Sequence, residues 1–103
     1  MAIVAVSIAP GGESASVGAF VAEAIRVLEA QQNVKWELGP MFTTLEGDLD
    51  AIFGLIRQMQ EAVFAKGAAR VATVIKIDDR RDKEATMAGK MASVSASLQS
   101  SQP

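Results

Sequence analysis

The order of hydrophobic and polar residues divides the chain into four strand-like runs. Residues 2–9 are continuously apolar and rich in β-branched side chains, which predicts a strand buried on both faces. In residues 34–38, 42–46 and 70–78, every second side chain points to the same side, so each run has two faces of different composition, as in a β-strand. Turn-forming residues separate these runs, so we predict four strands.

Two intervening stretches have the 3.6-residue period of amphipathic helices. The first follows a loop, with Ser14 or Ser16 as its N-cap, and ends near residues 31–33. The second begins at Asp48, whose carboxylate suits the positive end of a helix, and ends at Gly67. The predicted buried stripe of the first helix contains Val17, Phe20, Val21, Ala24 and Leu28. That of the second contains Leu49, Ile52, Phe53, Ile56, Val63 and Phe64.

These elements follow one another in the order β-α-β-β-α-β. This order predicts an α+β, ferredoxin-like sandwich, in which two helices cover one face of a four-stranded antiparallel sheet. We place a single domain over residues 1–99 and a frayed tail over residues 100–103. A short C-terminal helix with Thr86 as its N-cap is predicted before that tail. Gly89 and many serines make this helix weak unless it docks on a surface. Its apolar stripe is Met87, Met91, Val94 and Leu98.

Two helices can cover only one face of the sheet, so the other face needs a different partner. By alternation, the helix-covered face takes Val4, Val6, Ile8, Trp36, Leu38, Leu45, Ile75 and Ile77. The opposite face takes Ile3, Ala5, Ser7, Glu37, Phe42, Thr44, Glu46, Ala72, Val74 and Lys76. This second face is too apolar for a solvated sheet, which predicts a homodimer or homotetramer formed through it.

A polar island stands on that apolar face. It consists of Glu37, Thr44, Glu46 and Lys76. Subunit interfaces often contain ligand pockets, so the island is a candidate binding site for a small molecule. The same residues also suit a structural ion-pair network, which is the commoner arrangement. The pattern of the sequence leaves both interpretations open.

The composition narrows the chemistry open to this chain of 103 residues. It contains no cysteine and no histidine, so thiol chemistry, the commonest general base and the commonest metal ligand are all absent. A net charge of −2 argues against a nucleic-acid partner. The apolar N-terminus lacks the basic region of a signal peptide and is too short for a membrane span. We therefore expect a cytoplasmic protein without catalytic residues, metal ligands, or nucleic-acid or membrane partners.

A dense run of charges occupies residues 78–84. We expect Arg80 and Arg81 to pair with carboxylates, in their own chain or in a neighbouring subunit, rather than to bind nucleic acid. Because exposed ion pairs each contribute only about 0–1 kcal/mol, the run should matter through geometry more than through energy.

Three segments of the chain carry a resemblance to a known family. They are SVGAFVAEAIRVLE near the start, ELGPMFTTLEGDLDAIF in the middle and MQEAVFAKGAARVATVIKIDDRRDK towards the end. Their Gly-Pro, Thr-Thr-x-Glu-Gly-Asp and Asp-Asp-Arg-Arg-Asp-Lys motifs resemble, in this order, those of the small thiamine-binding protein family of bacteria, archaea and yeast. That family was long catalogued as uncharacterised, and its double-domain relatives include a Bacillus thiamine/hydroxymethylpyrimidine-binding protein. The resemblance covers about residues 3–98.

The resemblance implies a ferredoxin-like fold, dimers or tetramers formed through the sheets, and binding of thiamine or hydroxymethylpyrimidine without catalysis or a further cofactor. Thiamine has an aminopyrimidine edge and a cationic thiazolium, which suit a carboxylate, hydroxyls and an aromatic wall. The implied ligand-binding residues are Glu37 or Glu46 as charged partner, Thr43 and Thr44 as hydroxyl donors, Ser7 as floor and Phe42 as stacking wall. The family usually has a small residue at the position of Phe42, so this ring either stacks on the ligand or fills part of the pocket.

Two alternatives to a binding protein remain open on the sequence. The first is a structural oligomer whose polar island is an interface salt-bridge network without a ligand. The second is a small cofactor-free enzyme of the dimeric αβ-barrel kind, which shares this fold. The absence of histidine counts against the enzyme.

Overall fold

The computed structural model describes residues 1–11, 17–84 and 86–100. Ser14 and Ser16, the predicted caps of the first helix, lie outside the described residues, as do residues 101–103 of the predicted tail over residues 100–103. The elements, in chain order, are β1 (Ala2–Pro10), α1 (Gly18–Glu29), β2 (Lys35–Leu38), β3 (Thr43–Gly47), α2 (Leu49–Ala65), β4 (Val71–Asp79) and α3 (Met87–Ser100).

The four strands form one antiparallel sheet in the order β2-β3-β1-β4. Strand β1 pairs with β3 on one side and with β4 on the other, so Val4 lies between Leu45 and Ile77. Helices α1 and α2 pack against each other and against one face of this sheet. The predicted ferredoxin-like α+β sandwich is therefore confirmed in its element order and its topology.

The hydrophobic core lies between the two helices and the central strands. Alternation along β1 sends Ala2, Val4, Val6 and Ile8 towards the helices, and all four are buried. Leu45 of β3 lies beside Val4 and is completely buried. The remaining core residues are Ala24, Leu28, Val34, Ile52, Leu55, Ile56, Met59 and Val63. Removal of this apolar surface from water is the main force that holds the helices on the sheet.

The two edge strands depart from the predicted core. Leu38 of β2, and Ile75 and Ile77 of β4, lie on the helix side of the sheet but are 57%, 38% and 41% exposed. Their strands are the outermost of the four, whereas the helices cover mainly the central strands. Alternation shows which face a side chain occupies, but it does not show where its strand lies in the sheet. The predicted burial of these three residues is therefore wrong.

Helix α2 has both of its predicted ends. At its start, Oδ2 of Asp48 accepts a hydrogen bond from the N–H of Ala51 at 3.0 Å. At its end, Gly67 has a φ of 119°, a backbone conformation that favours glycine. The N–H groups of Gly67 and of the residue after it donate to carbonyls of the last helical turn, which forms a Schellman motif.

The buried stripe of α2 is shifted relative to the predicted one. Phe53 and Phe64, which the pattern placed in the stripe, are exposed at the flanks of the helix. The core instead takes Leu55 and Met59, which continue the i, i+3, i+7 series that begins at Ile52. Neighbouring apolar residues compete for the same helix face, and the packing against β1 decides between them.

Replacing Asp48 by Ala should lower the free energy of unfolding by about 1 kcal/mol, because it leaves a helix-terminal N–H of α2 without its acceptor. Urea titration followed by circular dichroism measures this change. Asp50→Ala is the matched control: Asp50 adds a negative charge to the same first turn, while the cap bond itself is made by Asp48. Equal losses in the two variants would show that charge, and not the cap bond, stabilises this end.

Helix α3 stands apart from the layer of α1 and α2. Thr86 caps it as predicted, because the hydroxyl of Thr86 accepts a hydrogen bond from the N–H of Gly89 at 2.9 Å. The described part of the chain measures 52 × 31 × 19 Å, and its radius of gyration of 15.7 Å exceeds the value of about 13 Å for a compact domain of this length. We attribute the elongation to α3, whose Met91 and Val94 are exposed.

Candidate ligand-binding site

The sheet face turned away from α1 and α2, here called the outer face, carries two adjacent rows of side chains. From β2 to β4, the first row consists of Glu37, Thr44, Ala5 and Lys76. The second row consists of Lys35, Glu46, Ile3 and Asp78. Both rows follow directly from the antiparallel register, because residues opposite each other on neighbouring strands point to the same face. Polar groups therefore stand around a centre of small and apolar side chains.

The start of α3 lies against the second row. The N–H of Met87 donates to Oε1 of Glu46 at 2.8 Å, a contact between residues 41 positions apart in the chain. Glu46 is only 5% exposed, and a buried carboxylate is costly unless hydrogen bonds compensate its charge. The free N–H groups at the positive end of a helix provide such compensation. Glu46 therefore fastens α3 to the sheet.

A second contact anchors α3 from the side of β4. Nζ of Lys90 lies 2.5 Å from Oδ2 of Asp78. The hydrogen bond from Lys90, together with its positive charge, holds the pKa of Asp78 below the usual value for aspartate. A lowered pKa stabilises the folded state above the ordinary pKa, and that stability is lost as the pH falls through the lowered value. The anchor is therefore intact at neutral pH.

A cavity of about 370 Å³ opens between the outer face and α3. The sheet lines it with Lys35, Glu37 and Glu46, and α3 and its cap line it with Thr86, Met87, Ala88 and Met91. This volume falls within the range of about 300–1,000 Å³ for small-molecule sites. Glu37 is exposed, and no ion pair involves it among the residues that the structure describes. The cavity therefore combines an available carboxylate with two thioether side chains.

Comparison with known proteins places the chain in a family. Residues 4–95 match the sequence pattern of the family described as thiamine-binding protein. The chain belongs to the thiamine-binding protein family. UPF0045 protein YqgV of Bacillus subtilis (strain 168) is 48% identical to it over 103 residues, which cover 96% of this chain and 99% of the relative.

Two solved structures share the fold of this thiamine-binding protein family member. Hypothetical protein MJ1052 of Methanocaldococcus jannaschii superposes with a TM-score of 0.83 at 37% identity, over 91% of this chain and 95% of that one. A candidate thiamine biosynthesis/salvage protein of Thermotoga maritima superposes with a TM-score of 0.74 at 22% identity, over 90% and 97% of the two chains. At such low identity, the second likeness concerns the fold alone.

In this family member, the structure brings part of the predicted site together. Glu37 and Glu46 both line the cavity, and Thr44 lies beside Glu37 on the neighbouring strand. Ser7 is on the same face, but it lies in a row farther from α3, opposite Val74 of β4. The carboxylates and one hydroxyl are thus neighbours, whereas Ser7 stands away from them.

Two predicted site residues lie elsewhere. Thr43 is buried beside Val6 on the helix-covered face, because adjacent residues of a strand point to opposite faces. The prediction of Thr43 as a hydroxyl donor on the outer face is therefore wrong, and that of Thr44 stays a prediction. Phe42 was predicted in the strand, but it precedes β3 in a turn that begins at Gly39. A Cβ atom on Gly39 would lie 2.4 Å from the carbonyl oxygen of Phe42, so this turn needs a glycine.

The ion-pair network that the sequence left open as an alternative for the polar island is not formed within the described part of the chain. Lys76 lies three strand spacings from Glu37 in the same row, which is about 14 Å. No ion pair between described residues joins Lys76 to Glu37 or to Glu46. One carboxylate of the island instead binds a helix end, and the other faces the cavity.

Arg80 and Arg81 of the charge run pair with carboxylates, as predicted, and both partners belong to the same chain. Arg80 donates to both carboxylate oxygens of Asp82, at 2.6 and 2.9 Å. Nη2 of Arg81 lies 3.1 Å from Oδ2 of Asp79. The hydrogen bond from Arg80 lowers the pKa of Asp82, so this pair is charged at neutral pH. These exposed pairs fix the turn that follows β4.

Sequence reasoning missed the side of the cavity formed by α3. Lys35 alternates with Glu37 along β2, so its place on the outer face was readable from the pattern. Met87 directly follows the predicted cap Thr86, and Met91 comes four residues later, a spacing that puts both on one helix face. The signal for these residues was present, but the surface to which they dock was not identified.

Across residues 1–11, 17–84 and 86–100, no group of three or more histidine, cysteine, aspartate or glutamate side chains is arranged to hold a metal ion. In the same ranges, no helix combines the length and the apolar character needed to cross a membrane.

Proposed function

We propose that this protein binds thiamine, or its hydroxymethylpyrimidine part, without chemical turnover, in the cavity between the outer face and α3. The observation that carries the proposal is the position of Glu37. Its exposed carboxylate lines a cavity of about 370 Å³ in a chain of the thiamine-binding protein family. Glu46 lines the same cavity, but its Oε1 already accepts the N–H of Met87, so we assign the charged contact with the ligand to Glu37.

The lining of the cavity suits the two rings of thiamine. The thiazolium is a permanent cation and the aminopyrimidine carries an amino donor, and a carboxylate forms strong, charge-assisted contacts with both kinds of group. The thioethers of Met87 and Met91 provide polarisable surface for an aromatic ring. Thr44 is not a lining residue, but it lies beside Glu37 on the neighbouring strand, and we assign its hydroxyl to a remaining polar atom of the ligand. Binding without turnover is favoured because the chain lacks histidine and cysteine, the residues that most often supply a base or an activated nucleophile.

Equilibrium dialysis against thiamine tests this function together with the absence of turnover. The protein should retain thiamine at one molecule per chain, and the ligand recovered after prolonged incubation should be chemically unchanged. Hydroxymethylpyrimidine in a parallel chamber shows whether the pyrimidine ring alone is sufficient. Conversion of either compound would favour the enzyme alternative, and failure to retain both would favour a purely structural oligomer.

We also propose that a second copy of the chain covers the outer face beyond α3. Val74 on that part of the face is 57% exposed, and the neighbouring positions Ser7 and Ala72 carry small side chains. Small side chains let another sheet approach closely, at about 10 Å between the sheets. This contact gives a homodimer, and a homotetramer requires a second contact between two such dimers.

Replacing Val74 by Glu should dissociate the oligomer, because it would place an unpaired charge in a dry contact between two sheets. Light scattering at micromolar concentration should give the mass of one chain, 10.8 kDa, for this variant and a multiple of that mass for the native protein. Val74→Thr, which keeps the size without the charge, should remain oligomeric. A native protein of single-chain mass, or an oligomeric Val74→Glu variant, would contradict the assignment of this face.

A further inference from the structure

We infer that Glu46 is a positioning residue of the proposed thiamine site: it fixes α3 over the outer face and thereby builds the cavity, without itself binding the ligand. This inference rests on the proposed function. Both carboxylates of the polar island line the cavity, but the structure gives them different surroundings. Glu37 is exposed, whereas Glu46 is 95% buried, with 5% of its surface exposed. One carboxylate is therefore free to meet a ligand, and the other belongs to the framework.

The positioning role of Glu46 follows from its hydrogen bond to the first residue of α3. The N–H of Met87, the first residue of α3, donates to Oε1 of Glu46 at 2.8 Å. The hydroxyl of Thr86 satisfies a second N–H of the same turn, that of Gly89. The two acceptors together close the start of α3, where free N–H groups and the helix dipole both favour a negative partner. Because Glu46 extends from β3, its bond also ties this helix end to the sheet.

The cavity depends on α3 being held there. Four of its seven lining residues come from α3 and its cap: Thr86, Met87, Ala88 and Met91. Without α3, only the sheet wall of Lys35, Glu37 and Glu46 would remain, which is an open surface. A site with one wall cannot bury most of a small ligand, as binding sites usually do.

Two contacts fix the start of α3 to the sheet. The helix is 14 residues long, contains Gly89 and several serines, and exposes most of its side chains. Isolated helices of about 12–15 residues are marginal in water even with favourable sequences. The bond to Glu46 and the ion pair between Lys90 and Asp78 both hold the start of this helix on the sheet. A ligand that contacts both walls should in turn stabilise the docked helix, so occupancy of the cavity and order of α3 are coupled.

Two substitutions of Glu46 separate positioning from direct ligand contact. Gln keeps an oxygen that accepts the N–H of Met87 but has no charge, whereas Ala keeps neither. Under the positioning role, Glu46→Gln should bind thiamine within about threefold of the native protein, and Glu46→Ala should bind at least about tenfold more weakly. Titration calorimetry measures the affinities. A ligand contact through charge predicts the opposite, with Gln and Ala equally weak.

Hydrogen exchange supplies a readout that does not depend on affinity. The amides of Met87 to Met91 should lose protection in Glu46→Ala and keep it in Glu46→Gln. In the native protein, thiamine at about 100 times its Kd should raise their protection by up to about a hundredfold, because opening α3 would remove the site. Lys90→Met, which removes the ion pair with Asp78 and leaves all seven lining residues of the cavity unchanged, should shift both protection and affinity in the direction of Glu46→Ala, and it replaces that variant if Glu46→Ala fails to fold.

The outcomes distinguish this inference from the proposed function. Native protein that binds no thiamine would overturn the proposed function, and this inference with it. Native binding combined with equally weak Gln and Ala variants would overturn the positioning role alone. Unchanged thiamine affinity in a variant whose α3 amides have lost protection would do the same, because it would show that α3 is not a wall of the site.

Discussion

Replacing Glu37 by Gln should weaken thiamine binding by about tenfold to a hundredfold. A hydrogen bond to a charged partner contributes about 1.5–3 kcal/mol. Because about 1.4 kcal/mol corresponds to a factor of ten in Kd, the loss of one such bond gives the expected range. Glu37 lines the cavity with an exposed carboxylate, and no ion pair in the described ranges holds it. Its charge is therefore available to the ligand, and the amide that replaces it retains the shape without that charge.

The change at Glu37 should affect binding and leave folding nearly intact. Exposed substitutions that break no contact usually alter stability by less than about 0.5 kcal/mol. Glu29→Gln is the matched control, because Glu29 is an exposed glutamate on α1, on the other side of the sheet. It makes the same change in net charge and should bind thiamine as the native protein does. Equal affinity in both variants would remove Glu37 from the site.

Replacing Leu45 by Ala should lower the free energy of unfolding by about 2–5 kcal/mol. Leu45 of β3 is completely buried in the core, beside Val4 of β1, so the substitution both leaves a cavity and reduces the apolar area that folding buries. A loss of this size is a large share of the total stability of a small domain, which is about 5–15 kcal/mol. Urea titration of the native and variant proteins measures the difference in the free energy of unfolding. The dependence of that free energy on urea concentration should be the same in both proteins.

Leu38→Ala provides the control for the core. Both leucines lie on the helix side of the sheet, but Leu38 is 57% exposed at the edge strand β2. Folding removes less apolar area from water at Leu38, so Leu38→Ala should lower the free energy of unfolding by less than half as much as Leu45→Ala does. A Leu38→Ala variant as unstable as Leu45→Ala would mean that β2 is covered, by a helix or by another subunit, in the folded protein.

The fold was predictable because its signals are local. The apolar run of β1, the alternation in the other strands and the cap of α2 at Asp48 each depend on residues close in sequence, and together they indicate one topology. The depth of burial was less predictable. Ile77 and Val4 stand side by side in the sheet, yet Val4 is buried and Ile77 is 41% exposed, because their strands differ in distance from the edge. That distance is a property of the assembled sheet.

The candidate site was predictable only in part, for the same reason. Alternation correctly put Glu37, Thr44 and Glu46 on one face, and applied strictly it would also have removed Thr43. The different surroundings of the two glutamates depend on the bond from Met87 to Glu46, which spans 41 residues. The helical stripe showed that α3 needs a surface, but nothing local in the sequence indicates which surface it meets.

Titration calorimetry of the native protein, shown to be folded and free of co-purified ligand, tests the central claim most directly. Mass spectrometry of the denatured protein establishes that no thiamine is carried through purification. We expect thiamine to bind with a measurable heat at one site per chain, and to be recovered unchanged. The absence of any binding heat at millimolar thiamine and at millimolar hydroxymethylpyrimidine, confirmed by dialysis, would contradict the claim that this protein is a thiamine-binding protein in function as well as in family.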